Sequence, residues 1–193
     1  MANHLKYKKA INKEEINELE LSKYSGNIIL VENKEALNNA AQEIKKCPIL
    51  GIDTETKPSF KKGKLNPVAL LQIATDKCVY IIRLNKVALS KDFAEIFQSQ
   101  DIIKVGIAVI DDFKDLKKMI PFTPHKVIDL NLLAPKLGFE NIGAKKLSAL
   151  VLGFRISKRQ QVSNWEAEPL SQAQIDYAAT DAWICREIYL RLK

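Results

Sequence analysis

No apolar run in the 193-residue chain approaches the roughly 20 residues that a membrane-spanning helix needs, so a span is not expected. The stretch Met1 to Ala10 carries lysines but no apolar h-region, which argues against a secretory signal and for a cytoplasmic location. There are only three cysteines, Cys47, Cys78 and Cys185, far apart and in unlike contexts. Their spacing matches neither a zinc site nor a disulfide framework, and buried free thiols in a reducing compartment are expected. Of the two histidines, His125 stands alone between Pro124 and Lys126, so no His or Cys cluster argues for zinc. Internal repeats, low-complexity tracts and an interdomain linker are also missing.

What remains is an ordinary globular composition with a basic excess. Hydrophobic residues make up 47% and charged residues 27%, enough for one domain with its own core. Lysine and arginine number 30 against 23 acidic residues, a formal charge of +7 that favours a polyanionic partner. The domain is expected over residues 27–193, with 1–26 as an N-terminal extension.

The hydrophobic pattern predicts a mixed α/β architecture. Lys13 to Leu21 has a short helical stretch, Asn27 to Val31 reads as a strand, and Asn33 caps a helix running to about Lys46. Ile49 to Asp53 is an apolar strand, and Lys57 to Pro67 is a lysine-rich loop with Pro58, Gly63 and Pro67 as breakers. Val68 to Ala74 and Cys78 to Ile82 read as a hairpin around Thr75-Asp76-Lys77. Ser90 to Ser99 suits an amphipathic helix capped by Ser90. Ile102 to Ile110 reads as a further strand, followed by a helix that Asp111 caps and that ends before Pro121. Val127 to Leu130 is a short strand leading into a helical stretch that Pro135 interrupts. Beyond Lys145 the pattern is helical, broken by the polar loop Arg155 to Glu168. Ser171 and Gln174 form a capping box for a last helix over Gln172 to Leu192.

Three acidic motifs stand on this framework. Asp53 and Glu55, two residues apart at the end of a strand, share one face. Asp111-Asp112 follows the strand that ends at Ile110. Tyr177 and Asp181 lie one turn apart on the last helix, among Ala178, Ala179 and Ala182, whose small side chains suit close packing. Each motif alone is also what a strand terminus, a helix cap or a core aromatic looks like. Together, converging carboxylates would repel one another unless a divalent metal lay among them.

In their order along the chain these motifs resemble the DEDD-type 3′–5′ exonuclease domain of the ribonuclease D and Werner-syndrome exonuclease kind. The resemblance covers about Asn27 to Lys193 and rests on Leu50-Gly51-Ile52-Asp53-Thr54-Glu55-Thr56, Val105-Gly106-Ile107-Ala108-Val109-Ile110-Asp111-Asp112 and Asp176-Tyr177-Ala178-Ala179-Thr180-Asp181-Ala182. Val68-Ala69-Leu70-Leu71-Gln72-Ile73 and Ser163-Asn164-Trp165 add to it. Tyr177 places the chain in the tyrosine subclass. The resemblance implies a ribonuclease H-like fold, a central mixed sheet of five to six strands flanked by helices. It also implies two divalent ions, Mg²⁺ or Mn²⁺, that clamp the attacking and leaving oxygens of an in-line displacement. Asp53, Glu55 and Asp181 would hold the first ion, Asp53 would bridge to the second, and Asp112 would complete the second site. Tyr177 would orient the attacking water. The doubled aspartate leaves the second-motif ligand open by one residue, and alignment through Val105-Gly106 favours Asp112.

The expected partner is a nucleic-acid 3′ end. Phosphate contacts are expected from Lys57, Lys61, Lys62 and Lys64 after the first acidic motif, and from Arg155, Lys158 and Arg159 before Trp165. Thr54, Leu71 and Gln72 would line the terminal nucleotide, and Trp165 would stack a base or anchor its loop. Val105-Gly106-Ile107 is closer to the Werner-type subset, which sets DNA slightly ahead of RNA. RNA trimming of the ribonuclease D kind is the alternative activity, and a non-catalytic nucleic-acid-binding domain on the same fold is the alternative class. No helicase region or accessory RNA-binding domain follows, so processivity or targeting is expected to come from partners or to be absent.

Overall fold

The computed structural model describes residues 6–59, 66–140 and 142–193. Six strands form one sheet: β1 (Asn27–Val31), β2 (Ile49–Thr56), β3 (Val68–Ala74), β4 (Cys78–Arg83), β5 (Ile103–Gly106) and β6 (Val127–Asp129). Their spatial order is β1-β4-β3-β2-β5-β6, and β3 alone runs against its neighbours. The hairpin at Thr75 is closed by its hydroxyl, which accepts from the Lys77 and Cys78 amides. The sheet is therefore mixed, as expected, and its two central strands are β2 and β3.

Helices cover both faces. On one side α2 (Lys34–Ile44), α3 (Lys91–Gln98) and α4 (Val109–Leu116) bury Leu37, Ile44, Phe93, Phe97 and Phe113 against Leu50, Ile52, Leu71 and Ile73. On the other, α7 (Gln172–Leu192) lays Ala178, Ala179 and Ala182 on β2, β3 and β4. The capping box of Ser171 and Gln174 starts this helix as the sequence predicts, and Asn33 accepts from the Ala36 amide to cap α2. Two short helices, α5 (Leu130–Lys136) and α6 (Ala144–Leu147), and a π-helical turn over Ser148–Leu152 fill the end beyond β6. No helix of the described residues is long and apolar enough to cross a membrane. Cys47, Cys78 and Cys185 are free thiols, all buried.

Several local expectations are corrected. The apolar run Ile102 to Ile110 is divided between two elements: β5 stops at Gly106 and α4 begins at Val109, with Ala108 left-handed between them at φ 61°. The cause lies far along the chain. Asp129 accepts from the Ala108 amide at 3.1 Å and the Ile110 amide at 3.5 Å, capping α4 from outside while also capping α5 through Asn131. Asp111 is thus not the cap; it sits exposed inside α4, paired with Lys114. The Ser90 hydroxyl makes no cap bond to α3. Pro135 is carried within α5 rather than interrupting it. The first helix, α1 (Lys13–Glu18), stops short of Leu21.

Residues 7–24 lie along the domain as a strap. Tyr7 and Ile11 pack on the cluster under α7, and Ile16 is buried. Main-chain bonds run from Arg155 to Glu20, from Ser22 to Arg155 and from Glu140 to Lys9. Tyr24 packs on Trp183, and its amide donates to the Thr180 hydroxyl.

Candidate active site

The site begins with the pleat of β2. Gly51, Asp53 and Glu55 alternate onto the face that meets α7, while Leu50, Ile52 and Thr54 point the other way. Gly51 permits the approach: a Cβ there would lie 2.1 Å from the Ala182 carbonyl oxygen. With α7 that close, Asp181 reaches the carboxylates of β2. Oxygens of Asp53, Glu55 and Asp181 all lie within 4.8 Å of one another. Tyr177, one turn earlier on α7, lines the same cleft of about 330 Å³ together with Ile107, Ala144, Gln161 and Cys185.

Asp112 stands at the edge of this group on the opposite face of β2. Its Oδ1 accepts from the Thr54 hydroxyl at 2.6 Å, and its Oδ2 is buried without a hydrogen-bond partner. The two aspartates of the doublet differ in surroundings: Asp112 is bonded to Thr54 beside the cleft, whereas Asp111 is exposed and paired with Lys114.

Crowding shows in the proton affinities. Burial, then the charge of Asp181, pushes Glu55 up to about 8. Burial raises Asp112 to about 7, against the opposing bond from Thr54. Asp53 is driven well above the usual carboxylate range by burial, then by Asp181, Asp112 and Glu55. Burial, followed by the charges of Asp181 and Glu55, holds the Tyr177 phenol well above its ordinary value, so it remains a hydrogen-bond donor. Hard carboxylate oxygens with one buried, unpartnered atom at Asp112 fit a divalent cation of the Mg²⁺ or Mn²⁺ type.

One basic group enters this acid cluster. Lys158 donates to Asp181 Oδ2 at 2.9 Å and to the Tyr177 hydroxyl at 3.3 Å, with its ammonium 5.1 Å from the Tyr177 ring centre. The sequence places Lys158 in a basic loop but gives no signal that it reaches the carboxylates. Gly51, Gln161, Ile107 and Ala144 are further residues of the site that sequence reasoning missed; only the tight Gly-Ala packing had a trace, in the small residues of α7.

The expected substrate contacts fare differently. Thr54 lies in the cleft, but its hydroxyl is committed to Asp112. Leu71 and Gln72 are fully buried in β3 and cannot touch a nucleotide. Gln72 pairs across the strands with Asp53, and neither of its side-chain amide atoms has a partner among the described residues. Trp165 is also fully buried, its ring centre 5.8 Å from that of Tyr177, so it backs the tyrosine and offers no face to a base. Arg159 is exposed and lines a neighbouring cavity beside Lys23 and Asp176. Lys57 pairs with Glu166 at 2.8 Å, and the Arg155 guanidinium donates to the Leu19 carbonyl. Lys61, Lys62 and Lys64 lie outside the described residues.

Comparison with known proteins agrees with this geometry. A family model described as 3′–5′ exonuclease matches residues 28–193. Human exonuclease 3′–5′ domain-containing protein 2 is 32% identical over 163 residues, covering 78% of this chain and 26% of its own length. DNA polymerase I of Aquifex aeolicus is 28% identical over 163 residues, covering 84% of this chain and 27% of its own length. The chain therefore spans about a quarter of the length of these relatives. Among solved structures, the Nibbler EXO domain of Aedes aegypti superposes with a TM-score of 0.80 at 26% identity, covering 89% of this chain and 90% of that one. Escherichia coli RNase D shares the fold, with a TM-score of 0.76 at 20% identity over 86% of this chain and 45% of that one. By the match over residues 28–193, the chain belongs to the 3′–5′ exonuclease family.

Proposed function

We propose that this chain is a metal-dependent 3′–5′ exonuclease that hydrolyses phosphodiester bonds at nucleic-acid 3′ ends. The observation that carries this reading is the gathering of Asp53, Glu55 and Asp181 from a strand and a remote helix within 4.8 Å, at a cost in repulsion that bound divalent cations would offset. Asp53, Glu55 and Asp181 would hold one ion, and Asp53 with Asp112 would hold a second. When bound, such ions supply charge stabilisation to the attacking and leaving oxygens of an in-line displacement.

The chain's own groups do the rest. Tyr177 keeps its proton and orients a water by hydrogen bonding, with Trp165 behind it fixing the ring. Thr54 orients Asp112. Ile107 and Ala144 give the cleft an apolar wall. The basic excess of the chain draws the polyanion toward an otherwise acidic pocket.

The substrate reading sets DNA slightly ahead of RNA on the Val105-Gly106-Ile107 segment. RNA trimming is the second reading, favoured by a likeness of fold to the Trypanosoma brucei RNase D solved in complex with RNA. The test is purified chain with labelled single-stranded and recessed-end DNA and RNA, in Mg²⁺, Mn²⁺ or EDTA. Metal-dependent shortening from the 3′ end is expected. No shortening under either metal removes the enzyme reading, and full activity in Asp53→Ala or Asp181→Ala shows that the site is elsewhere.

A further inference from the structure

Lys158 borders two cavities at once. On one side it lines the carboxylate cleft, where its ammonium holds Asp181 at 2.9 Å. On the other it lines an open groove of about 510 Å³ with Lys13, Lys145 and Lys146, roofed by residues of the N-terminal strap. The backbone around it is held at Ile156 and Trp165, both buried, while the Lys158 side chain itself is 31% exposed. A long, four-carbon side chain at such a place reaches either cavity without movement of the fold.

The two positions are not equivalent in charge. An ammonium against Asp181 neutralises one carboxylate of the crowded group, and its charge also acts on Asp53 and Glu55. A divalent cation among the same oxygens would meet that ammonium at close range, in surroundings that screen little. A phosphate backbone lying in the groove beside Lys13, Lys145 and Lys146 offers the ammonium an alternative anion.

We propose that Lys158 is an exchangeable counter-ion of the carboxylate centre: it neutralises Asp181 until a divalent cation enters, and a nucleic-acid backbone in the adjoining groove takes the ammonium over. This rests on the exonuclease reading above and goes beyond it, because it makes metal loading and nucleic-acid binding mutually dependent. Linkage then requires that each raise the affinity for the other by the same factor.

The experiment measures Mn²⁺ binding directly, by electron paramagnetic resonance or calorimetry, with no turnover read. The full chain and its Lys158→Gln and Lys158→Arg variants are compared, each alone and with an oligonucleotide carrying phosphorothioate linkages at its 3′ end. Lys158→Gln is expected to bind Mn²⁺ about tenfold more tightly than the wild type when alone, and to lose the gain that the oligonucleotide gives the wild type. Lys158→Arg, which keeps the charge, stays near the wild type. In EDTA, Lys158→Gln melts below the wild type, and Mn²⁺ raises its melting temperature by more. Equal Mn²⁺ affinity in wild type and Lys158→Gln overturns the counter-ion role while leaving the exonuclease reading intact. No Mn²⁺ bound by either chain overturns both.

Discussion

Gly51 of β2 and Ala182 of α7 meet backbone to backbone, with room for nothing larger than hydrogen at Gly51. That contact sets the distance across which Asp53 and Asp181 face each other. The Arg186 side chain lies beside it and donates to the Ile49 carbonyl at 3.1 Å, fastening the next turn of α7 to the same strand. Gly51→Ala drives a methyl into main chain, which cannot give way as a side-chain tip would. We expect a loss of about 1–3 kcal/mol in unfolding free energy. Nuclease activity should fall further than stability alone explains at temperatures where the variant is folded. Denaturant unfolding and activity measured at one low temperature separate the two effects.

Tyr177→Phe removes a hydroxyl and keeps the ring against Trp165. Turnover is expected to fall about a hundredfold or more, the scale of a positioned proton-handling group. Mn²⁺ affinity, measured by calorimetry, should hardly change. An unchanged rate would refute the water-orienting role.

Asp111 and Asp112 differ only in the side of α4 they occupy. Asp111→Asn loses an exposed pair with Lys114 and should leave both stability and activity near wild type. Asp112→Asn should cost activity heavily. Thr54→Val, which removes the bond that aims Asp112, should cost about 10–100-fold in metal affinity or rate. Side-by-side kinetics of the three variants check the assignment.

The raised carboxylates give the EDTA-treated chain a distinctive pH response. Glu55 titrates near 4.5 when unfolded and at about 8 when folded. A group raised in the fold contributes its full stability below the unfolded value and loses it as pH rises through the folded value. In EDTA the wild type and Glu55→Gln are therefore expected to melt together near pH 4, roughly the unfolded carboxylate value, with the wild type melting progressively earlier as pH approaches 9, above the folded value. Mg²⁺ should abolish that difference or reverse it. Melting curves across this range that run parallel would show that Glu55 is not crowded as described.

The elements that the sequence predicted well are those whose cause is local. Period-two alternation puts Asp53 and Glu55 on one face of a strand, and a four-residue step puts Tyr177 and Asp181 on one face of a helix. The Ser171 and Gln174 box marks the start of α7 from residues within one turn. Where the cause is remote, the pattern misleads. Ile102 to Ile110 is apolar apart from Lys104, and Asp129, brought alongside by β6, turns its second half into a helix. Trp165 and Gln72 look equally suited to a cleft or a core, and burial by α7 and β4 decides for the core. The reach of Lys158 to Asp181 spans 23 positions of sequence and has no periodic signature at all.

The strap formed by residues 7–24 holds the loop of Lys158 mostly by main-chain atoms. The amide of Arg155 meets the carbonyl of Glu20, the amide of Ser22 meets the carbonyl of Arg155, and even the Arg155 side chain reaches a carbonyl, that of Leu19. Backbone partners place little demand on the side chains of Glu20 and Ser22 themselves. The strap is thus anchored twice over, by the side chains of Tyr7, Ile11, Ile16 and Tyr24 on the domain and by main-chain bonds at the loop. The loop of Lys158 is braced without calling on any side chain of Glu20 or Ser22.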